Sequence, residues 1–154
     1  MPSTQIATIT IVAKTGLLIE TRVIHMTRYP WPFFAAAGVG AKFHKGFVDA
    51  IAEIWEPLFT LVDATFKKQD RPLWITGHSL GGALALLAAW LLKRQFLQVH
   101  QIYTFGAPMI GNQKACDAID REFKGIISRY ANGHDPVPKL PGVSLIANEF
   151  AHVK

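Results

Sequence analysis

Residues 73–82 read Leu-Trp-Ile-Thr-Gly-His-Ser-Leu-Gly-Gly, and this stretch decides the fold class. Its first four residues are apolar or β-branched and predict a short buried strand. Residues 80–92 form an uncharged, mostly apolar run, which predicts a buried helix because the run is too short to span a bilayer. Gly77 and Gly81 lie two residues either side of Ser79. A serine at a sharp strand-to-helix turn needs such small neighbours, because side chains there would clash with the bent backbone.

Ser79 is therefore the predicted nucleophile of a serine hydrolase. The turn would project the Ser79 hydroxyl outward and aim the first backbone N–H groups of the helix at the reaction centre. The Leu80 N–H is the predicted donor to the oxyanion of a tetrahedral intermediate. The alternative is a structural turn that contains a serine, and the strand before it and the apolar helix after it favour the nucleophile.

The alternation of strand and helix continues towards the C-terminus. Two further short apolar runs predict strands, and the segments between the strands have helical character. The predicted strands are 102–105 and 126–130, and the predicted helices are 80–96 and 113–123. This order is typical of a parallel sheet with crossover helices.

The N-terminal half predicts two strands, a loop and a helix. Strands are expected at 8–13 and within 18–26, and residues 29–34 form an irregular segment with two prolines and four aromatic residues. Apolar residues then recur at steps of three and four up to residue 66, which predicts an amphipathic helix ending near Lys68. Pro57 predicts a kink or break within that helix.

Composition predicts one globular domain covering residues 1–154. Half of the residues are hydrophobic and only 18% are charged, so the chain can bury a large core, and disorder is excluded. The net charge of +5 comes from scattered basic residues, which predicts solvated faces and no nucleic-acid partner. Cys116 is the only cysteine, and no histidine pair has metal-ligand spacing supported by other ligands, so we predict neither metal nor cofactor.

The N-terminus carries no recognisable targeting signal. Residues 1–5 lack the basic and apolar regions of a signal peptide, and the chain contains no integral membrane segment. A cytoplasmic location is the default expectation.

A serine nucleophile also needs a histidine base and a carboxylate that orients it. Asp135 follows the strand 126–130 in a turn, at the carboxyl edge of the predicted sheet where Ser79 also lies, and is the predicted acid. The alternative is an Asx turn before Pro136. His152 is the only histidine after Asp135, so the order Ser, Asp, His nominates it as the base.

Four segments together resemble the class 3 lipases, which include fungal triacylglycerol lipases and plant acylglycerol and phospholipid lipases. The likeness extends over residues 43–153, and the segments that carry it are 43–47, 73–83, 103–112 and 132–141. It implies an α/β-hydrolase fold, a mostly parallel sheet flanked by helices, which we expect to be truncated at both ends. It also implies a lipid ester substrate, with Ser79 as the acyl-accepting serine and Asp135 as the triad aspartate.

The sequence departs from the family pattern in two places. The family's second oxyanion donor lies in a Phe-Arg-Gly-Thr or Phe-Arg-Gly-Ser turn, whereas residues 14–16 here read Lys-Thr-Gly. His152 matches a non-catalytic histidine of the family, whose catalytic histidine lies further downstream. The base is therefore either His152 or a histidine beyond Lys154.

The likeness places the aromatic segment 29–34 where the family carries its lid. That position predicts action at a membrane or emulsion interface, and the alternative is a loop packed over the core. The predicted function is hydrolysis of lipid esters through an acyl-enzyme on Ser79. The alternatives are a catalytically incomplete lipase-like module that binds lipid or a partner, and a thioesterase or acyltransferase with the same elbow.

Overall fold

The computed structural model describes residues 7–11, 23–25, 34, 36–140 and 150–154. Its elements, in chain order, are β1 Ala7–Ile11, β2 Val23–His25, β3 Lys42–His44, α1 Lys45–Lys68, β4 Leu73–His78, α2 Leu80–Arg94, β5 Gln101–Phe105, β6 Gly111–Asn112, α3 Gln113–Glu122, β7 Ile127–Tyr130, a 3-10 helix Val137–Lys139, and β8 Phe150–Ala151. The strands and helices predicted after residue 70 are all present, with ends that differ by one or two residues.

The larger sheet has the strand order β1-β4-β5-β7, and every neighbouring pair is parallel. One row of isoleucines crosses all four strands: Ile9 lies opposite Ile75, Ile75 opposite Ile102, and Ile102 opposite Ile127. The connections between parallel strands run through helices, as such connections require. The predicted α/β class with a mostly parallel sheet and flanking helices is confirmed.

Helix α2 is the centre of the core. Residues 81–92 are all buried, because α2 packs on the parallel sheet on one side and on α1 on the other. A helix covered on two sides has no solvent face, which explains why its sequence is apolar all round. None of the described helices is long and apolar enough to span a bilayer.

Helix α1 is amphipathic and ends at Lys68, as its periodicity predicts. It buries Phe47, Ile51 and Trp55 against the core. The expected break at Pro57 is not present, because the helix continues through this residue. Pro57 is exposed, so the carbonyl that loses its N–H donor can be hydrated by solvent.

The described residues also form a second, antiparallel sheet of four short strands, ordered β2-β3-β6-β8. β2 lies within the strand expected at 18–26, whereas β3, β6 and β8 were not predicted. In this sheet Gly111 lies opposite Phe43 on one side and Ala151 on the other. A Cβ atom on Gly111 would lie 2.3 Å from the Lys42 carbonyl oxygen, so the close pairing requires glycine. Asn112 caps α3 through its side chain, which accepts from the Ala115 N–H at 3.1 Å.

Four predictions concern, in whole or in part, residues outside the described part of the chain. They are the last two residues of the strand expected at 8–13, the remainder of the strand expected within 18–26, the turn at 14–16 and the aromatic segment 29–34 apart from Phe34. Phe34 itself is buried, and its ring centroid lies 5.0 Å from that of Phe43.

Candidate active site

Ser79 occupies the single residue between the end of β4 and the start of α2. Its φ of 53° and ψ of −127° place a non-glycine residue in a sparsely populated region of backbone space. Two backbone hydrogen bonds hold it there: its N–H donates to Phe105 O at 2.8 Å, and its carbonyl accepts from Gly82 N–H at 2.9 Å. The surrounding backbone therefore enforces the strained conformation that a nucleophile elbow requires.

The turn is possible because two glycines let the backbone approach itself closely. A Cβ on Gly77 would lie 2.1 Å from the Gly81 carbonyl oxygen, and a Cβ on Gly82 would lie 2.7 Å from the Ala107 Cβ. The sequence argument for a small residue at Gly77 agrees with this geometry. Gly81 takes part through its backbone, because the Gly81 carbonyl group packs directly against Gly77.

Leu80 is the first residue of α2. The first N–H groups of a helix have no acceptor within it, so the Leu80 N–H is directed out of the helix beside Ser79. Such a donor, held in place before reaction, is suited to stabilise a developing oxyanion. Its assignment as the oxyanion donor stays a prediction.

Asp135 lies beyond the end of β7, at the same edge of the sheet as Ser79. Its Oδ1 accepts from the Val137 N–H at 2.9 Å, and its own N–H donates to Asn132 O at 2.9 Å. The Asx turn considered as an alternative is therefore present, but it uses only one carboxylate oxygen. The second oxygen, Oδ2, is directed towards Gly106.

Three strands bring Asp135, Gly106 and His78 together. A Cβ atom built on Gly106 would lie 2.7 Å from Asp135 Oδ2 and 4.0 Å from His78 Nε2, so both groups face one point above Gly106. Gly106 follows β5, and its N–H donates to Tyr130 O at 2.7 Å, which ties β5 to the end of β7. His78 immediately precedes Ser79, so this cluster borders the elbow.

His152 is engaged elsewhere. Its Nε2 lies 3.1 Å from Arg129 Nη2 and within hydrogen-bonding distance of the Pro138 carbonyl oxygen. A protonated Nε2 donates to Pro138 O and an unprotonated Nε2 accepts from Arg129, so this nitrogen has a partner in either tautomer. Burial and the Arg129 charge lower the pKa of His152, while the Pro138 carbonyl acts in the opposite direction. Within the described part of the chain, the structure gives His152 no contact with Ser79 or Asp135.

Three further histidines have structural positions or lie on the surface. His44 is fully buried at the start of α1, with its ring centroid 4.3 Å from that of Phe47, and burial lowers its pKa from 6.5 to about 4. His100 Nδ1 accepts from the Leu73 N–H at 3.0 Å and fixes the start of β4. His134 is exposed.

The site is defined by its backbone and side-chain geometry. Among the described residues, no group of three or more histidine, cysteine or acidic side chains could hold a metal ion. A surface cleft of about 510 Å³ lies beside α3 and β7, with both acidic and basic groups such as Asp120 and Lys124 in its lining. Ser79, Leu80 and Asp135 are not part of that lining, so the chemistry is assigned from the elbow and not from the cleft.

A parallel sheet with a strained serine between a strand and a buried helix, and an aspartate beyond a later strand, defines the α/β-hydrolase fold. The sequence profile described as "Lipase (class 3)" matches residues 15–145. The chain belongs to the class 3 lipase family, which confirms the predicted likeness.

Curated relatives and solved structures agree with this placement. Secreted mono- and diacylglycerol lipase 1 of Fusarium solani is 35% identical over 107 residues, covering 68% of this chain and 31% of that protein. A secreted mono- and diacylglycerol lipase of Malassezia restricta is 35% identical over 104 residues, covering 66% of this chain and 34% of the relative. The chain thus spans about a third of the length of these relatives.

Two crystal structures superpose well. The mono- and diacylglycerol lipase from Aspergillus oryzae gives a TM-score of 0.67 at 28% identity, covering 77% of this chain and 42% of that one. The native propeptide complex of Rhizomucor miehei lipase gives a TM-score of 0.64 at 36% identity, covering 74% and 37%.

The expected cytoplasmic location is wrong. The curated relatives are named as secreted lipases, which points to an extracellular location. The expectation rested only on the lack of a basic and apolar stretch near Met1, and the lack of a signal there does not identify a compartment.

Sequence reasoning missed the contribution of Gly106 and His78 to the surroundings of Asp135. Gly106 lies in a motif that carried the family likeness, so its position was marked, but its role was not. His78 lies inside the elbow motif, next to Ser79. The sequence signal that could have indicated this role is the glycine at position 106. Its role becomes clear only when Asp135, which follows another strand, is seen next to it.

Proposed function

We propose that this chain supplies the nucleophile, one oxyanion donor and the triad acid of a secreted serine hydrolase that cleaves carboxylic esters of acylglycerols. The observation that carries the proposal is the strained φ of 53° at Ser79, fixed between β4 and α2. The names of the relatives, mono- and diacylglycerol lipases, support acylglycerols as the substrate class.

In the proposed mechanism, Ser79 Oγ attacks the ester carbonyl while a histidine accepts its proton. The Leu80 N–H stabilises the oxyanion, and loss of one such donor costs on the order of 100-fold in rate. The histidine then protonates the leaving alcohol, and water hydrolyses the acyl-enzyme in the reverse sense. Asp135 holds the histidine in its working tautomer through Oδ2, while Oδ1 stays in the turn.

We propose that the base is a histidine other than those that the structure describes. The Arg129 and Pro138 contacts of His152 favour a structural role, in agreement with its place in the family pattern. A hydrolase without its base keeps part of its reactivity through the oxyanion hole and binding. Irreversible reagents can therefore still accumulate on Ser79.

The test is the intact mass of the 154-residue chain after exposure to a fluorophosphonate. We expect one label per chain, lost completely in Ser79→Ala and formed at the same rate in His152→Ala. If the folded chain stays unlabelled, Ser79 is not activated within this chain, and the catalytically incomplete lipase-like module replaces the proposed hydrolase. If labelling is lost in His152→Ala with the fold intact, His152 is the base.

We also propose that the protein acts at a lipid–water interface through the aromatic segment 29–34. Phe34 is buried, whereas the side chains of Tyr29, Trp31 and Phe33 are of the apolar, aromatic kind that suits contact with lipid. We expect Trp31→Ser combined with Phe33→Ser to lower hydrolysis of emulsified esters more than hydrolysis of soluble esters. An equal fall on both substrates would exclude the interfacial role.

A further inference from the structure

Gly106 lies at a crowded point of the site. It is buried, its φ of +59° lies in the left-handed region, and its N–H is tied to Tyr130 O at 2.7 Å. The direction that a side chain would take from Gly106 is already occupied. A Cβ there would lie 2.7 Å from Asp135 Oδ2, a distance that Cβ atoms essentially never show.

The Asp135 carboxylate has little freedom to move away. Its Oδ1 is held by the Val137 N–H, and the backbone of Asp135 is held by Asn132 O, each at 2.9 Å. Rotating the carboxylate to relieve a contact at Oδ2 would break the bond at Oδ1. A methyl group at 106 must therefore displace the whole carboxylate or the turn that carries it.

We propose that Gly106 is the positioning residue of Asp135: its missing side chain leaves the space in which Oδ2 is held towards His78 and the Ser79 elbow. The inference deepens the proposed function and rests on it, because it assumes that Asp135 is the triad acid. Glycine at 106 therefore has two roles: it allows the positive φ, and it leaves room for the Asp135 carboxylate.

The chain offers a matched control. Gly125 has a φ of +79°, similar to that of Gly106, but a Cβ on Gly125 would meet no atom within 4 Å. Gly125→Ala therefore introduces comparable backbone strain without a contact. The difference between Gly106→Ala and Gly125→Ala isolates the collision with Asp135 from the cost of a left-handed alanine.

The first measurement is urea unfolding of both alanine variants, each with Asp135 present and with Asp135→Ala. We expect Gly106→Ala to lower the urea midpoint by about 0.5 M more than Gly125→Ala, and this excess to disappear in the Asp135→Ala background. An excess that persists without Asp135 would overturn the proposal. If Gly106→Ala does not fold, recovery of folding in the double variant supports the proposal, and failure to recover overturns it.

The second measurement reports on position, which a purely structural role of Gly106 would not change. Asp135 Oδ2 lies 2.7 Å and His78 Nε2 lies 4.0 Å from the position that a Cβ on Gly106 would take, and the Val137 N–H donates to Oδ1. The NMR signals of the His78 ring and the Val137 amide therefore report where the carboxylate lies. We expect Gly106→Ala to shift both signals and Gly125→Ala to leave both in place. When Asp135 is alanine, we expect Gly106→Ala to cause no further shift of the Val137 amide; the His78 signal is compared only with Asp135 present, because the new methyl group lies 4.0 Å from His78 Nε2. Unshifted signals in Gly106→Ala, or an equal shift of the Val137 amide without Asp135, would overturn the positioning role.

Separate experiments test the two proposals. Fluorophosphonate labelling of Ser79 tests the proposed function, whereas the urea and NMR comparisons do not require activity. If residues 106 and 135 are coupled but the chain stays unlabelled, the contact between them is a packing contact with no role in catalysis, and the positioning proposal fails together with the proposed function.

Discussion

At the scale of single residues, the site is built from positions where the backbone or a buried group is held against its ordinary preference. Ser79 has a positive φ without being glycine, and His44 is a histidine with no exposed surface. Such features destabilise the fold slightly and persist because neighbouring contacts enforce them. Each one makes a prediction that can be measured without substrate.

Replacing Ser79 should separate strain from chemistry. Ser79→Gly removes the hydroxyl and the cost of a positive φ, whereas Ser79→Ala removes the hydroxyl and keeps that cost. We expect Ser79→Gly to have a free energy of unfolding about 1 kcal/mol above that of Ser79→Ala. Urea unfolding of the two variants measures the difference. Equal stabilities would mean that the elbow carries no strain.

His44 should make the fold sensitive to acid. Burial lowers its pKa to about 4 in the folded chain, against 6.5 for the unfolded chain. Because the unfolded state binds the proton first, stability falls as the pH drops from about 6.5 to 4, by roughly 3 kcal/mol in all. His44→Phe, which can still stack on Phe47, should lose less stability over this range. Parallel pH profiles for the parent and the variant would contradict this assignment.

At the scale of elements, the junction between β4 and α2 is the most sharply specified part of the chain. The backbones of Gly77 and Gly81 approach so closely that a Cβ on Gly77 would overlap the Gly81 carbonyl group. The junction also fixes the first turn of α2, and with it the direction of the Leu80 N–H. A change at Gly77 should therefore affect both the fold and the oxyanion site.

We expect Gly77→Ala to destabilise the chain by about 3 kcal/mol or more, because backbone on both sides of the turn would have to move. Gly133→Ala is the control, since Gly133 is exposed and a Cβ there meets no atom within 4 Å. Thermal unfolding of the two variants tests the difference. A Gly77→Ala chain as stable as Gly133→Ala would show that the turn can relax.

At the scale of the whole molecule, one apolar cluster joins the two sheets. It contains Ile11 and Ile102 from the parallel sheet, Phe43 from the antiparallel sheet and Val153 after β8. Helix α2 lies within this cluster and contacts three strands of the parallel sheet. A shared core of this kind links the stability of its parts.

We therefore expect the chain to unfold as one cooperative unit, in agreement with the single domain predicted from composition. Circular dichroism reports on the helices, and tryptophan fluorescence reports on the core through buried Trp55 and Trp90. The two signals should give the same urea midpoint. Two separate midpoints would divide the chain into units and contradict the single-domain prediction.

The sequence by itself determined the parts of the fold that depend on local pattern. The elbow around Ser79, the parallel strands and the helices that flank them after residue 70, and the end of α1 at Lys68 all follow from periodicity and turn chemistry within a few residues. Pro57 shows the limit of such rules, because whether a proline breaks a helix depends on what surrounds the carbonyl that it leaves without a donor.

Only the tertiary structure decided the features that depend on residues far apart in the chain. β3, β6 and β8 have two or three residues each, too few to show a period, and they exist because they pair with one another. The partners of His152 and the space above Gly106 likewise come from other strands. Periodicity reports which side of an element is buried, but the group that covers that side is fixed only when the strands come together.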